Sequence, residues 1–441
     1  TVLDDNKKLC LVSGEIIAMS NTMTMMFEVE DLAVASPATV SRCGMVYMEP
    51  TSMGFEPLLD SYLQSLPELM APFLIQFRET FMAIMPGMEG LPFFLRKSLK
   101  ETVATVDTCL VMGLFNIMTA LLKRYERNEG EEPLTPEDIE GAHQCAMPMW
   151  IFSFIWSVCA TTTGPGRPKL DEFFRKKAEE SGFAEHMPPA EKGDSSMYEY
   201  CFDQDELMWK EWMQTIPAYK PNPEQAFAEI IVPTADTVRY TFIIDKLLLS
   251  DKHVLCVGET GTGKTLNVMD KLSNHMPEQY VAVFMTFSAR TSANQTQDFI
   301  DSKMDKRRKG VFGPPSGKKY AVLIDDLNMP LREKYFAQPP IELLRQWQDH
   351  KGWYERKPPC AFRTIQDMII VGCMGPPGGG RNPVSNRLLR HFNFISFTDM
   401  SDASCVRIFD TILGATLQKK FSPEVAGLSG PISEATIAIY N

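Results

Sequence analysis

A short glycine-rich segment constrains the fold of this chain more than any other feature. Residues 258–265 read Gly-Glu-Thr-Gly-Thr-Gly-Lys-Thr and directly follow the apolar run His253–Val257. In this pattern, glycines let the backbone bend so that successive N–H groups converge on phosphate oxygens. Lys264 brings a positive charge to the β and γ phosphates, and Thr265 brings a hydroxyl to Mg²⁺. The pattern therefore predicts a strand, a phosphate-binding loop and a helix whose N-terminus faces the same anion.

The alternative is a glycine turn that carries a surface lysine and binds nothing. The preceding apolar run favours the phosphate-binding loop, because that motif begins at the end of a strand. The candidate nucleotide-binding residues of this segment are Gly258, Glu259, Thr260, Gly261, Thr262, Gly263, Lys264, Thr265 and Leu266.

Beyond residue 230, apolar strand-like runs alternate with helical stretches. This alternation is typical of a mostly parallel sheet covered by helices on both faces, with ligands at the carboxyl ends of the strands. We therefore predict an α/β fold of the P-loop NTPase type, its parallel sheet sandwiched by helices. The basic run Lys303–Lys309 predicts an exposed turn or hairpin insertion rather than an anion site. The predicted strands are His253–Val257, Tyr280–Phe287, Tyr320–Ile324, Met368–Cys373 and Phe392–Phe397.

Composition argues against several classes of function. A net charge of −12 disfavours a surface that mainly binds nucleic acid. Ten cysteines occur without a Cys-x-x-Cys pair or matching histidines, so we expect reduced thiols in a cytosolic protein, with neither disulfides nor a zinc site. The apolar runs Val106–Leu122 and Met147–Cys159 are shorter than the roughly twenty residues of a bilayer span, which predicts buried helices and no membrane segment.

The first half of the chain is organised differently from the second. Short strands and turns are predicted for the first fifty residues, and helices with a Met-rich core for Phe55–Trp156. A charged helix, Lys169–Glu180, and a polar linker, Met187–Ser196, follow. The aromatic and acidic stretch Tyr198–Trp212 is predicted to cross the surface before the next domain. At 441 residues, the chain has room for two or three domains and is expected to be a segment of a longer protein.

Two acids complete the predicted nucleotide site. Asp325 and Asp326 end the apolar run Tyr320–Ile324, about sixty residues beyond the phosphate loop. An acid at a strand end in this position holds Mg²⁺, normally through water, which is the role expected for Asp325. Asp326 is then placed to orient or deprotonate an attacking water. It is one methylene shorter than Glu, which is expected to slow hydrolysis without preventing binding. The alternative is that two acids merely end a strand at a turn.

Other segments have more than one interpretation. The loop Gly375–Arg381 follows a strand end and could lie near the γ-phosphate, although Pro and Gly form turns in many contexts. Arg387 and Arg390 could form local salt bridges or project onto a neighbour's nucleotide, since arginine pairs well with phosphate. The apolar segment Ile230–Thr234 could pack on an adenine ring or belong to the ordinary core.

Taken together, these stretches resemble the dynein heavy chain family over essentially the whole chain. The sequence of the segment Asp325–Pro330 resembles the axonemal branch more than the cytoplasmic one. In that family, six AAA+ modules of one polypeptide form a ring. The matching segments are Thr1–Leu9, Ser36–Gly44, Asp325–Pro330, Gln338–Trp347 and Gly375–Phe392.

The resemblance implies a domain organisation. Residues 1–50 would be the end of the second module's large subdomain, and residues 51–195 its helical lid. Residues 197–400 would be the large subdomain of the third module, and residues 401–441 the start of its lid, cut short. The partners implied are the adjacent modules of the same heavy chain, other dynein chains, and the microtubule through a stalk outside this segment. The location implied is the cytoplasm and cytoskeleton, in the axoneme of a cilium or flagellum.

The resemblance also assigns roles to residues. Residues 258–265 resemble the Walker A loop, and Asp325 and Asp326 resemble Walker B. Val232 and Pro233 lie where the family lines its adenine pocket. Arg42 matches the second module's arginine finger, which would reach the first module's ATPase site. Arg387 and Arg390 occupy the corresponding stretch of the third module, facing the second module's nucleotide; such fingers stabilise phosphoryl-transfer transition states.

Two positions depart from the usual AAA+ pattern. Walker B usually carries Glu where this chain has Asp326, and the sensor-one position, usually a polar residue, is Gly375. Both departures disfavour fast turnover and leave the binding of ATP or ADP with Mg²⁺ unaffected.

Three functions compete. The first is a regulatory ATPase module that hydrolyses ATP slowly and gates the main motor cycle by shifting populations. The second is a structural module in which bound ADP or ATP stabilises the fold without turnover. The third, a free-standing small-molecule kinase, would need an acceptor pocket for which the sequence offers no residues.

Overall fold

The computed structural model describes residues 2–3, 6–29, 31–49, 53–127, 130–190, 196–219, 221 and 230–440 of the chain. The chain divides into two compact units, residues 1–57 and 58–441. The predicted boundary between residues 50 and 51 lies outside the described residues, as do residues 191–195 of the predicted linker.

The first unit contains an antiparallel strand pair and a short helix. β1 (Lys8–Cys10) pairs with β2 (Ile16–Ala18), and α1 spans Pro37–Ser41. Ser36 caps α1, because its hydroxyl accepts a hydrogen bond from the Thr39 N–H at 3.2 Å. This agrees with the short strands and turns predicted for the first fifty residues.

The second unit begins with helices packed around an aromatic core, as the apolar spacing predicts. The rings of Tyr62 and Phe115 stack with centroids 4.0 Å apart, and the rings of Phe77 and Trp150 lie 4.9 Å apart. Such aromatic pairs add about 1 kcal/mol beyond the area they bury. The helices are α2 (Glu56–Ser65), α3 (Leu74–Ile84), α4 (Leu91–Ser98), α5 (Asp107–Leu122), α6 (Pro136–Trp156) and α7 (Arg167–Glu180).

α6 is the central helix of this core. A capping box fixes its start, since Thr135 and Asp138 bond each other's backbone N–H groups at 3.0–3.1 Å. Within the described part of the chain, the stretch Pro136–Thr161 is long and apolar enough to cross a membrane, but 94% of its most apolar window is buried inside the protein. The prediction of buried helices over the apolar runs Val106–Leu122 and Met147–Cys159 is confirmed.

The prediction that Tyr198–Trp212 crosses the surface holds for the middle of the stretch, where residues 205–208 are exposed, but not for its ends. This stretch forms a hairpin of β3 (Tyr200–Asp203) and β4 (Met208–Glu211), and Tyr198 and Trp212 are each only 1% exposed. Their rings meet Trp156 of α6 edge to face, with centroids 5.9 and 5.8 Å away. The acidic residues of the stretch suggested solvent exposure, but the aromatic residues bury its ends in the helical core.

The second half of the chain forms the predicted parallel sheet. Its strand order is β13-β5-β12-β9-β6, and every neighbouring pair is parallel. All five predicted strands are confirmed to within two residues at each end. The strands are β5 (Val254–Gly258), β6 (Tyr280–Thr286), β9 (Lys319–Asp325), β12 (Met368–Met374) and β13 (Asn393–Phe397). The intervening helices are α8 (Ala235–Leu249), α9 (Lys264–Asn274), α10 (Ala293–Asp301), α11 (Pro339–His350) and α12 (Asn386–Leu389).

A second, four-stranded sheet of order β10-β11-β8-β7 lies beside α10 and α11. The predicted basic hairpin is confirmed as β7 (Asp305–Arg308) and β8 (Val311–Gly313), and every residue of β7 is exposed. The sequence did not predict that β8 pairs with β11 (Phe362–Ile365), which in turn pairs with β10 (Gly352–Tyr354).

The carboxyl ends of the five parallel strands meet at one edge of the main sheet. A buried apolar core that includes Leu255, Val322 and Ile370 supports the sheet beneath that edge. The chain then continues through α13 (Asp402–Lys420), α14 (Pro423–Ala426) and α15 (Ser429–Tyr440). The start of α13 contacts α8, because the Ser404 hydroxyl donates to the Asp236 carboxylate at 3.0 Å.

Candidate nucleotide-binding site

The loop between β5 and α9 has the backbone that phosphate binding requires. Gly261 and Gly263 have φ values of +92° and +74°, which residues with a Cβ rarely adopt. Gly258 has no room for a side chain, because a Cβ there would lie 2.6 Å from the carbonyl oxygen of Phe397 on β13. The glycines therefore allow both the tight curve of the loop and its close approach to the neighbouring strand.

Lys264 is the first residue of α9. Its ammonium donates to the carbonyl of Glu259 at 3.1 Å, and the buried Thr262 hydroxyl donates to the same carbonyl at 3.0 Å. The lysine charge is thus held over the loop. The first N–H groups of this 11-residue helix have no acceptor within the helix, and together with the helix dipole they favour an anion here.

Thr265 and Asp325, the predicted magnesium pair, are in direct contact. The Thr265 hydroxyl donates to Oδ1 of Asp325 at 3.1 Å, across the edge of the sheet. Hard oxygen donors of this kind suit Mg²⁺, which keeps several waters and takes few protein ligands. Among the described residues, no group of three or more His, Cys, Asp or Glu side chains could hold a metal ion. A hydroxyl beside a carboxylate is a donor set of the kind that Mg²⁺ accepts when phosphate and water supply its other ligands.

Asp326 has an unusual backbone. Its φ is +52°, in the left-handed region that non-glycine residues rarely enter and that Asp and Asn tolerate best. Hydrogen bonds on both sides hold this conformation: the Asp326 N–H donates to Oδ1 of Asp325 at 2.9 Å, and the Leu327 N–H donates to the Cys373 carbonyl at 3.0 Å. The conformation gives a physical reason for Asp at this position, since Glu is tolerated less well there.

Arg381 is not among the predicted site residues, although the loop that it closes was one of the segments considered near the γ-phosphate. Its Nη2 donates to the Thr260 hydroxyl in the phosphate loop at 3.0 Å. Its guanidinium lies over Gly375, where an added Cβ would be 2.7 Å from Nε and Cζ of Arg381. The only signal in the sequence was an arginine that closes a glycine-rich loop after a strand end.

The candidate arginine fingers have different environments. Arg390 bonds the Asp349 carboxylate and, through Nε, the Arg387 carbonyl at 3.3 Å. Arg387 is exposed, and its side chain makes no hydrogen bond or ion pair with another described residue. Arg42 belongs to the first unit, where it follows α1 and donates its backbone N–H to the Thr39 carbonyl at 3.2 Å.

The residues predicted to line an adenine pocket lie just before α8. Val232 is buried, and the Pro233 carbonyl accepts a hydrogen bond from Nε of Arg407 on α13 at 2.8 Å. Leu266, which was predicted with the phosphate loop and not with the adenine pocket, lies in the first turn of α9 and is 52% exposed. Val232 is thus the one of these three whose side chain is buried.

Two thiols lie beneath the site. Cys256 and Cys373 are register partners on β5 and β12, and both are buried. The neighbouring Cys256 thiol and burial raise the pKa of Cys373 well above its usual value. The thiol is therefore protonated at neutral pH and adds no negative charge beneath the phosphate loop.

Comparison with known proteins agrees with this geometry. Residues 219–400 match the family described as the P-loop containing dynein motor region, and residues 77–214 match the dynein heavy chain AAA lid domain. The chain is 46% identical to dynein axonemal heavy chain 1 of Homo sapiens over 467 residues, with 100% of this chain and 11% of that protein covered. It is 42% identical to dynein axonemal heavy chain 12 of Mus musculus over 455 residues, with 100% and 14% covered.

A third relative gives the same result. The chain is 41% identical to dynein axonemal heavy chain 3 of Homo sapiens over 463 residues, covering 100% of this chain and 11% of that protein. The chain therefore spans only 11–14% of the length of the curated relatives it matches.

Proposed function

Because this chain belongs to the dynein heavy chain family and is part of its motor region, we propose that its P-loop module binds ATP or ADP with Mg²⁺ and acts as a slow, regulatory ATPase module of an axonemal motor. The contact between Thr265 and Asp325 carries this proposal. It joins a P-loop helix to the acid at the end of a strand sixty residues away, as a magnesium nucleotide requires.

The proposed domain organisation follows the resemblance. Residues 1–50 and 51–195 end the second AAA+ module, residues 197–400 form the large subdomain of the third, and residues 401–441 begin its lid. The adjacent modules of the same heavy chain are then the immediate partners. The microtubule and the other dynein chains are contacted outside this segment, in the axoneme of a cilium or flagellum.

Each site residue has a proposed task. The loop amides and Lys264 hold the β and γ phosphates, and Val232 packs beside the adenine. Thr265 and Asp325 hold the Mg²⁺ ion, which neutralises charge that develops on the phosphates. Asp326 orients the attacking water from a backbone position that its neighbours hold in place.

The arginines act between modules. Arg387 is the finger that this module presents to the second module's nucleotide, since its side chain has no partner among the described residues, whereas Arg390 pairs with Asp349. Arg390 holds the end of α12 in place, and Arg42 serves the first module's site. A finger contributes several kcal/mol to the phosphoryl-transfer transition state.

A structural nucleotide-binding module is the second candidate. Gly375 has no side chain that could orient a water, and Asp326 is shorter than the usual Glu; both features favour retention of nucleotide over turnover. A ligand that binds only the folded state stabilises it by about 2.7 kcal/mol at one hundred times its Kd.

The test is the nucleotide content of the complete motor ring that carries this sequence. Nucleotide is extracted after rapid removal of free ligand and identified by mass. We expect Lys264→Ala to lose about one nucleotide per ring. Lys306→Ala, which removes an exposed lysine on β7, is the control and should lose none.

The Asp326→Asn variant separates the two candidates. Asn tolerates the left-handed backbone as Asp does, so the variant removes the charge without straining the chain. If the site turns over, the nucleotide that depends on Lys264 shifts from ADP towards ATP and microtubule gliding slows. An unchanged ATP to ADP ratio and an unchanged gliding velocity would support the structural candidate.

A further inference from the structure

The position of Gly375 in the sheet defines the geometry of a possible phosphate sensor. Gly375 is the first residue after β12, which lies between β5 and β9 in the parallel sheet. Its neighbours at the carboxyl edge are therefore the phosphate loop on one side and Asp325 on the other. A residue at this position therefore lies between the two halves of the proposed phosphate site.

Arg381 fills the space that the absence of a side chain at Gly375 leaves. A Cβ on Gly375 would lie within 2.7–2.9 Å of the Nε, Cζ and Cδ atoms of Arg381. The guanidinium continues past Gly375 to the phosphate loop, where Nη2 donates to the Thr260 hydroxyl at 3.0 Å. A cation from a different part of the loop thus occupies the position between Walker A and Walker B.

The loop that carries Arg381 is closed on itself. Gly378 and Arg381 exchange backbone hydrogen bonds of 3.1 and 3.0 Å. The φ values of Gly378, Gly379 and Gly380 are +125°, +56° and +91°, so three consecutive glycines provide the left-handed turn. This geometry fixes the point from which the arginine side chain starts.

The same loop is tied to the segment after Asp326. The Asn328 side chain donates to the Gly375 carbonyl at 2.8 Å, and the Asn382 N–H donates to the Asn328 carbonyl at 3.0 Å. The Asn382 side chain also donates to the Pro330 carbonyl at 3.0 Å. Asn328 is fully buried, so these bonds hold the loop at a fixed distance from the acids.

We propose that Arg381 is the sensor of the terminal phosphate in its own module, in place of the side chain that Gly375 lacks. This inference rests on the proposed function, because it needs a nucleotide on the phosphate loop. A guanidinium donates several N–H groups in a plane and keeps its charge, so it binds a γ-phosphate more strongly than a neutral side chain does. Arg381 therefore favours the triphosphate over the diphosphate, which lacks the group it reaches.

The test measures the affinity of the complete motor ring for a non-hydrolysable ATP analogue and for ADP, by competition with a fluorescent nucleotide. The signal of this site is the part that Lys264→Ala removes. We expect Arg381→Gln to weaken binding of the ATP analogue by about 10- to 100-fold and binding of ADP by less than about threefold, since one hydrogen-bonded charge is lost. Arg381→Lys keeps the charge and should recover part of the difference.

Two control variants and one second test variant complete the experiment. Arg332→Gln removes an arginine that bonds the Pro383 carbonyl of the same loop at 2.7 Å and does not reach the phosphate loop, so both affinities should stay unchanged. Gly375→Ala leaves Arg381 in the chain but displaces its guanidinium, and should reproduce the selective loss. Thr260→Ala removes the hydroxyl that Arg381 bonds; because Thr260 belongs to the phosphate loop, both affinities should fall by the same factor, and their ratio should stay unchanged.

The measured affinities can contradict either the role of Arg381 or the proposed function itself. The inference is overturned if Arg381→Gln weakens binding of the ATP analogue and of ADP equally. It is also overturned if Thr260→Ala changes the ratio of the two affinities as much as Arg381→Gln does. Either result would mean that Arg381 only supports the phosphate loop. If the wild-type ring has no Lys264-dependent signal, the proposed function itself fails. If Arg381→Gln does not fold, Gly375→Ala and Arg381→Lys decide by the same ratio.

Discussion

The phosphate edge of the sheet and the junction between the helices and the sheet are built in opposite ways. The phosphate edge consists of residues 258–265, 325–326 and 375–381, and the junction consists of Trp156, Arg167, Tyr198, Arg239, Tyr240 and Ser396. The edge depends on exposed loops, left-handed glycines and single hydrogen bonds such as that of Arg381 to Thr260. The junction is buried almost throughout.

Arg167 shows how the junction is held. It is 6% exposed, and its Nη2 donates to the Tyr240 hydroxyl and to the Ser396 carbonyl of β13, each at 3.2 Å. Its guanidinium also lies 4.8 Å from the centre of the Tyr198 ring. Burial alone would raise the pKa of Tyr240, but Arg167 and Arg239 beside it lower that pKa.

The phosphate edge and the junction are suited to different tasks. Weak, exposed contacts suit a site whose ligand must enter and change, because local opening there costs little. A buried network of charges and rings suits a joint that must transmit movement, because breaking it leaves polar groups without partners. A buried network thus joins the helices of residues 58–214 to the parallel sheet, whereas exposed contacts hold the loops at the phosphate edge.

The strongest test of the comparison is Arg167→Met, which breaks the junction alone. The variant keeps an apolar stem but removes one hydrogen bond from the Ser396 carbonyl and one from the Tyr240 hydroxyl, which still accepts the Thr398 N–H at 3.2 Å. We expect about 3 kcal/mol less protection against hydrogen exchange in residues 393–398, and an unchanged nucleotide affinity. Arg356→Ala removes an exposed ion pair with Asp298 and should cost less than about 1 kcal/mol. A changed affinity in Arg167→Met would show that the two regions are not separable.

Gly258→Ala breaks the phosphate edge alone. The new methyl group would lie 2.6 Å from the Phe397 carbonyl, so the loop must move away from β13. We expect nucleotide affinity to fall about 30-fold, which corresponds to about 2 kcal/mol. Equilibrium binding of fluorescent nucleotide measures this fall. Gly141→Ala on α6 adds the same methyl group in open space and should have no effect. Loss of junction protection in Gly258→Ala would contradict the comparison.

Asp326→Glu tests whether the length of the side chain at residue 326 limits ATP turnover at the phosphate edge, because it lengthens the proposed base. The longer side chain should reach the water better and raise ATP turnover at this site about tenfold, despite a small cost from the left-handed backbone. Single-turnover hydrolysis measured with and without Lys264→Ala isolates this site. A slower reaction would mean that backbone strain at residue 326 outweighs reach.

The smallest expected effect is the pH response of His253, which lies just before β5, at the end of that strand remote from the phosphate loop. Its Nδ1 accepts the Ile370 N–H at 3.1 Å. Burial, with a smaller contribution from Lys351, lowers its pKa to about 3. The unfolded chain therefore binds a proton that the folded chain does not, so stability falls as the pH falls through about 6.5, by about 1.4 kcal/mol between pH 7.5 and 5.5.

His253→Gln should remove this contribution. Thermal unfolding of the ring at pH 7.5 and 5.5 should show a smaller loss of Tm on acidification in the variant than in the wild type. An equal loss in both proteins would show that His253 does not titrate in the unfolding transition. Nucleotide affinity at pH 7.5 should not change, because the histidine is at the far end of β5 from the phosphate loop.

Much of the fold follows from local patterns. The five strands of the main sheet are confirmed because fully buried parallel strands appear as continuous apolar runs that need no long-range information. The burial of Tyr198 and Trp212 was not predicted, because only packing against Trp156 determines it. The pairing of β8, in the basic hairpin, with β11 joins residues about fifty positions apart and was missed for the same reason.

The features of the site likewise fall into those that the sequence predicts and those that only folding determines. The residue types of Gly258, Gly261, Gly263, Lys264 and Asp325 specify phosphate chemistry from the chain alone, since each is needed for a backbone shape or a charge. Folding alone decides that Arg381 lies over Gly375 and meets Thr260, that Arg390 pairs with Asp349, and that Asp326 adopts a left-handed backbone. These facts depend on which side chains share space after the strands have paired, and residues 121 positions apart become neighbours only then.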